Sequence, residues 1–387
     1  MTPPTDIAPR SATLDLDTFL DNRSVRVVVC CGSGGVGKTT TAAALALRAA
    51  DRGRRVVVLT IDPARRLAQS LGLTELDNDP RPVAGVEGTG TLDAMMLDMK
   101  RTFDEFVESN ADAERAATII ANPFYQSLSS SFAGTQEYMA MEKLGQLRTR
   151  AEVEHSWDLI VVDTPPSRSA LDFLDAPRRL GSFLDGRFIR ILAAPAKAGG
   201  RAYLKVLSAG FGMFTSVLSR VIGGEVLTDV QTFVASVDTL FGGFRERADE
   251  TFAMLQADDT AFVVVAAPER DALREASYFV DRLEADSMPL AGLVLNRVQT
   301  SAATGLDAAS ASAAAARLEE GARPSVTAAL LRIHAERVAT LERQKRLAER
   351  FTSAHRTVPV AVVPALAGDV VDLAGLRAVG AAMGGHD

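Results

Sequence analysis

Gly32-Ser33-Gly34-Gly35-Val36-Gly37-Lys38-Thr39 constrains this chain more than any other stretch. An apolar run, Val25-Arg26-Val27-Val28-Val29-Cys30-Cys31, precedes it and predicts a buried strand; Thr40-Thr41-Ala42-Ala43-Ala44-Leu45-Ala46-Leu47 follows it and predicts a helix. A strand, a glycine loop, Gly-Lys-Thr and a helix in that order form the local context of a phosphate-binding loop. Glycines let the backbone curl so that successive N–H groups converge on phosphate oxygens. The helix adds its free N-terminal amides and the positive end of its dipole. In this reading Gly34, Gly35, Val36, Gly37, Lys38, Thr39 and Thr40 cradle the phosphates. Lys38 reaches the β- and γ-phosphates, and the Thr39 hydroxyl ligates Mg²⁺. The plainer alternative, a glycine turn closing a βα unit, has no need of Gly-Lys-Thr.

The remaining expected strands are Val56–Ile61, Leu92–Leu97, Leu159–Val162, Phe262–Ala266, Leu290–Leu295 and Val358–Val363. Most are short and apolar on both faces, as in a parallel sheet covered by helices. Helical segments at Thr39–Ala50, Asp271–Leu283 and Val371–Met383 alternate with them. The fold class expected is α/β: a doubly wound, mostly parallel sheet of the P-loop NTPase kind with an inserted all-helical subdomain. Residues 101–150 and 176–256 supply the inserts, having helical patterning and no strand signal. In the second insert Phe183, Phe188, Phe211, Met213, Phe214, Phe233, Phe241 and Phe244 lie among glycines. They either pack the subdomain on itself or form an adaptable surface for a protein or lipid-like client. Residues 1–24 read as a disordered tail before an ATPase domain over 25–387, and the Ala/Ser-rich stretch 301–323 reads as a flexible loop. A long charged helix should follow over Val326–Phe351.

With 387 residues, 47% of them hydrophobic, the chain can bury a large core, and its net charge of −7 argues against a general nucleic-acid or anionic-membrane binder. The N-terminus lacks the apolar core of a secretory signal, and no uninterrupted apolar run is long enough to span a bilayer. The two cysteines, Cys30 and Cys31, are adjacent; they make no relaxed disulfide and lack zinc spacing. A cytoplasmic, reducing setting fits this pattern.

Hydrolysis needs carboxylates near the loop. Asp163 ends Leu159-Ile160-Val161-Val162, where a buried acid is costly unless a cation or donors meet it. It is either the magnesium carboxylate or an N-cap. Asp62 ends the strand that follows the P-loop helix, before Pro63-Ala64-Arg65-Arg66, and either orients the attacking water or caps a helix. Thr164-Pro165-Pro166-Ser167 has the look of a switch loop that senses the γ-phosphate.

The loop, Asp62-Pro63-Ala64 and Asp163-Thr164-Pro165-Pro166 resemble the ArsA/Get-type ATPases, in their bacterial Get-like branch. These belong to the deviant Walker A class together with MinD and ParA proteins. Pro268-Glu269, Val294-Leu295-Asn296-Arg297 and Val363-Pro364 resemble the family as well. The resemblance implies ATP and Mg²⁺ as cofactors, an adenine contact from Asn296 and Pro364, and a dimer opened and closed by the nucleotide. The residues themselves, by motif and strand-end position, point to Lys38, Asp62 and Asp163 for catalysis, and to Thr39 and Asp163 for the metal.

Two departures from the family pattern stand out. The signature lysine, placed just before the paired glycines, is Ser33 here. In the family that lysine reaches the partner's nucleotide, so its absence points to a lysine-bearing paralogue as partner, or to Arg65, Arg66 or Arg168 in its place. The thiols fit neither a zinc-clamped dimer nor an arsenite site, and His155, His334, His355 and His386 are scattered. The rival readings are a catalytically weak nucleotide-binding scaffold, a MinD/ParA-like positioning ATPase and a P-loop kinase. The second is disfavoured by a C-terminus without basic amphipathic character.

Overall fold

The computed structural model describes residues 12–62, 66–123, 125–126, 129, 135–165, 246–247, 249–301, 303, 305–320 and 326–384. The chain divides into two units. The first holds Met1–Met96, Glu154–Ala170 and Leu255–Asp387; the second holds Leu97–Val153 and Leu171–Met254.

The first unit is built on an eight-stranded sheet. Its strands are β1 (Val27–Gly32), β2 (Arg55–Thr60), β3 (Arg81–Pro82), β4 (Thr91–Met96), β5 (Leu159–Asp163), β6 (Thr260–Ala266), β7 (Leu290–Val298) and β8 (Val360–Pro364). They lie in the order β3-β4-β2-β5-β1-β6-β7-β8. Every pairing is parallel except β3 with β4. All residues of β1, β5 and β6 are buried, which explains their unbroken apolar sequences.

Helices cover both faces. On one face lie α1 (Leu16–Asp21), α2 (Lys38–Asp51), α3 (Arg66–Ser70) and α10 (Leu373–Met383). They pack on Val28, Cys30, Val56, Val58, Val161, Val263, Val265, Val294 and Val363. The fully buried Leu45 and Leu47 of α2 each contribute about 1.5–3 kcal/mol to that packing. Its alanines let α2 sit close to the sheet. On the other face α7 (Arg270–Ala285) and α9 (Val326–Ala354) meet Leu293, Leu295, Val360 and Val362 through Leu273, Ala348 and Phe351. The architecture is the doubly wound, mostly parallel α/β sheet expected of a P-loop NTPase.

The described part of the second unit is helical: α4 (Met99–Asn110), α5 (Ala113–Ala121), α6 (Thr135–Glu154, whose last residue falls in the first unit) and residues 249–254. Phe103, Phe106, Tyr125, Tyr138, Met139 and Leu144 are buried in it. The Tyr125 hydroxyl donates to Asp104 at 2.6 Å, and the Arg247 guanidinium lies 4.5 Å from the centre of the Phe106 ring. The phenylalanine- and glycine-rich stretch from Phe183 to Phe244 lies outside the described residues.

Two expectations are corrected. Residues 12–24 are not a tail. Asp15 caps α1 by accepting from the amides of Asp17 and Thr18, and Leu14, Leu16 and Leu20 are buried in the core. The Leu14 amide also donates to Val360 O at 3.1 Å. Nor is 301–323 a loop throughout: α8 (Ala308–Glu319) occupies its middle. Asp307 caps that helix by accepting from the Ser310 amide at 2.7 Å, and Ala311 and Ala315 bury against α9. Small side chains there allow close helix approach; alanine is also the best helix former. Strand β3, only two residues long, had no sequence signal.

Candidate nucleotide site

The parallel strands put their carboxyl ends along one edge. In an open α/β sheet this is where ligands bind, at the point where the chain order reverses. Here β1 lies between β5 and β6, so the segments leaving β1, β2, β5 and β7 converge on that edge.

The loop leaves β1 through Gly32, whose φ is +149°. A Cβ there would fall 2.1 Å from the Val265 carbonyl oxygen, so only glycine lets β1 and β6 approach at this point. Gly34 and Gly35 are exposed. Gly37, with φ +95°, stands immediately before α2 and offers no side-chain cap, which leaves the first amides of the helix available to a ligand. The Lys38 side chain is buried and donates from Nζ to the loop's own Ser33 carbonyl at 2.8 Å. Burial lowers its pKa, while Asp163 and Asp62 act in the opposite direction.

Asp163 is fully buried at the end of β5. Register places it beside Cys30 of β1 and Thr60 of β2. The Thr60 hydroxyl donates to its Oδ2 at 2.9 Å, but Oδ1 is buried with no hydrogen-bond partner. Burial raises the carboxyl pKa to about 6, against the lowering influence of the Thr39 and Thr60 hydroxyls and Lys38. Asp62, half-buried past the end of β2, adds negative charge to both Lys38 and Asp163. Thr164 follows Asp163 and ties back to β1, its hydroxyl donating to Cys30 O at 2.8 Å. Cys30 and Cys31 are buried free thiols at the end of β1, and burial holds both in the protonated form.

Of the residues singled out from sequence, Lys38, Asp163 and Asp62 share one electrostatic site, and Thr39 stands at the start of α2 beside Asp163. Asn296 reaches the loop from β7, its Nδ2 donating to Val36 O at 2.8 Å. Pro364 ends β8, the neighbour of β7, and is half-buried. Thr40 lies in the first turn of α2. Arg66 is exposed at the start of α3, while Arg65, Arg168, Pro166 and Ser167 lie outside the described residues. Sequence reasoning missed Thr60 and Arg297. Thr60 holds Asp163, and Arg297 donates from Nη1 to Gly35 O at 2.9 Å. A hydroxyl as the last residue of a strand beside an acid-ended strand was the available signal for Thr60.

The fold and this edge define a P-loop nucleotide-binding protein. The chain belongs to the anion-transporting ATPase family, ArsA ATPase, whose profile matches residues 25–313. It is thus an ATPase of the ArsA/Get type. It is 28% identical to "ATPase GET3" of Podospora anserina over 285 residues, 73% of this chain and 76% of that protein. It is also 28% identical to "ATPase get3" of Aspergillus terreus over 292 residues, again 73% and 76%. A shorter match to "ATPase GET3" of Malassezia globosa reaches 32% over 162 residues, 42% of this chain and 45% of that protein. These relatives are fungal. No helix among the described residues is long and apolar enough to cross a membrane.

Proposed function

We propose that this chain is a Mg²⁺-dependent ATPase whose nucleotide orders a dimer, and that it works with a lysine-bearing paralogue. The observation that carries the catalytic part is Asp163 Oδ1, a buried carboxylate oxygen without a partner beside Lys38 and Thr39. Buried polar atoms are nearly always satisfied, and an orphan at a ligand edge fits a group that arrives with the substrate. The donors are hard oxygens, which suits magnesium. Asp163 and the Thr39 hydroxyl would hold it. When bound, the metal neutralises charge on the phosphate oxygens.

The rest is the chain's own work. Lys38 would exchange the Ser33 carbonyl for phosphate oxygens, converting an internal hydrogen bond into a charge-assisted one. Gly34 to Thr40 would present backbone amides. Asp62, still partly solvated, would orient the attacking water. Asn296 and Pro364 would border the adenine. The helical second unit would move with the nucleotide state and receive a protein or lipid-like client. The setting we infer is cytoplasmic. Neither zinc nor arsenite has a part in this reading, because both thiols are buried in β1 and held protonated.

Ser33 is buried, and its Oγ has no partner. It supplies no cation, which also gives weight to a weaker reading: a nucleotide-binding scaffold whose partner performs the catalysis. Steady-state hydrolysis by the purified chain and by Ser33→Lys separates the two. Slow wild-type turnover that rises at least tenfold in the variant supports the paired ATPase. Fast wild-type turnover unchanged by the variant removes the need for a paralogue. Binding without single-turnover hydrolysis in either protein leaves the scaffold.

A further inference from the structure

Two residues of β7 grip the outside of the phosphate loop. Asn296 donates from Nδ2 to the Val36 carbonyl at 2.8 Å, and Arg297 donates from Nη1 to the Gly35 carbonyl at 2.9 Å. They are tied to each other, because the Arg297 amide donates to Asn296 Oδ1 at 2.9 Å. The geometry is unusual in two respects. Pairing between β7 and β8 shifts between Leu295 and Val298, so these two residues leave the regular ladder. Arg297 also has φ +61°, a left-handed conformation that a residue with a Cβ adopts only when its surroundings impose it. Bulges beside functional sites commonly redirect a side chain. Here the redirected side chains meet consecutive loop carbonyls. The fit is close: a Cβ on Gly37 would stand 2.3 Å from Asn296 Nδ2.

A trans peptide is planar, and its N–H points opposite its C=O. Fixing the Gly35 carbonyl therefore fixes the Val36 amide, and fixing the Val36 carbonyl fixes the Gly37 amide. Both amides then face away from β7. A loop with two glycines at positive φ, Gly35 at +78° and Gly37 at +95°, has much conformational freedom to lose. Restraining it before the ligand arrives removes that loss from binding.

We propose that Asn296 and Arg297 form a latch that presets the phosphate loop, with Arg297 as a positioning residue for the nucleotide. This rests on the reading of the loop as an ATP site. Arg297 acts through the loop and not on the γ-phosphate, so its removal weakens di- and triphosphate alike. Its side chain is exposed, so the fold does not depend on it.

The test is calorimetric titration of MgADP and MgATP into the full chain and into Arg297→Ala, Arg297→Gly and Arg297→Lys. Arg297→Gly removes the guanidinium while relieving the left-handed backbone, so it separates latch from strain. The latch predicts that Ala and Gly variants lose about tenfold in affinity for both nucleotides. It predicts that Lys recovers part of this and that added guanidinium ion partly rescues Ala. Thermal midpoints without nucleotide should stay within about 2 °C of wild type. Unchanged affinity in Ala and Gly overturns the latch while leaving the ATP site intact. A loss confined to MgATP overturns it too, by showing direct contact with the last phosphate. Failure of the wild type to bind either nucleotide overturns both the latch and the site.

Discussion

The two ends of the sheet treat buried polar groups in opposite ways. At the amino ends of the strands Arg54 is 1% exposed, yet every part of its guanidinium is matched. Nε donates to Asp158 Oδ1 at 2.7 Å. Nη1 donates to Leu20 O at 3.1 Å and to Asn22 O at 3.4 Å, and Nη2 donates to Val25 O and Asp158 O, both at 2.7 Å. This cation joins α1, the entry to β1 and the entry to β5, and has nothing left to offer a ligand. At the carboxyl ends Asp163 Oδ1, Ser33 Oγ and Thr41 Oγ1 are buried and unpartnered, and Lys38 is turned onto its own loop. A satisfied buried charge organises structure, whereas an unsatisfied one lowers stability and marks where something else must bind.

That contrast can be broken by substitution, beginning with the largest effect. Arg54→Met should cost about 3–5 kcal/mol, because Asp158 and several carbonyls lose a shared donor. Urea denaturation measures this, and the affinity of the still-folded protein for MgATP should change less than twofold. An intact stability would show that the amino-end network is incidental.

Asp163→Asn should act with the opposite sign. A carboxyl whose folded pKa is raised to about 6 binds its proton more tightly in the native state than in the unfolded chain. Stability from this group is therefore fullest at low pH and declines as pH rises from about 4 to about 6. Two pH units at about 1.4 kcal/mol each amount to about 3 kcal/mol. The amide should abolish that decline and leave the nucleotide-free protein about 2 kcal/mol more stable at pH 7.5, while hydrolysis is lost. Denaturation at pH 4.5 and pH 7.5 checks the sign; a variant less stable than wild type at pH 7.5 contradicts it.

Gly37→Ala should cost about 2 kcal/mol, from the left-handed backbone and the clash with Asn296, and should weaken MgATP at least tenfold. Ser33→Ala is the smallest change. It removes a buried hydroxyl without a partner and should stabilise the nucleotide-free protein by no more than about 1 kcal/mol. A clear loss of stability would reveal a partner for that hydroxyl.

The carboxyl-end half of this contrast was legible in the sequence. β1, the glycine loop and α2 declare themselves because a fully buried strand is apolar throughout and a loop that needs positive φ needs glycine. Asp62 and Asp163 were visible as acids ending apolar strands. The capped helices at Asp15 and Asp307 were misread because composition was weighed above local pattern. Asp15-Leu16 with Leu20 four residues on, and Asp307 with Ser310 three residues on, are helix-start signals inside stretches that look like tail and linker. The latch was not legible. Asn296 was singled out by family resemblance, but a left-handed arginine arises from the shift in β7–β8 pairing, which no local pattern announces. Arg54 was equally silent, since its partners come from two distant stretches, Leu20–Val25 and Asp158.

The central claim is that the loop at the end of β1 grips MgATP through Lys38. Titration calorimetry of MgATP into the full chain and into Lys38→Ala tests it most directly. The account predicts one binding event per chain in the wild type and at least a tenfold loss in the variant. No binding by the wild type, or equal affinity in the two proteins, would contradict it.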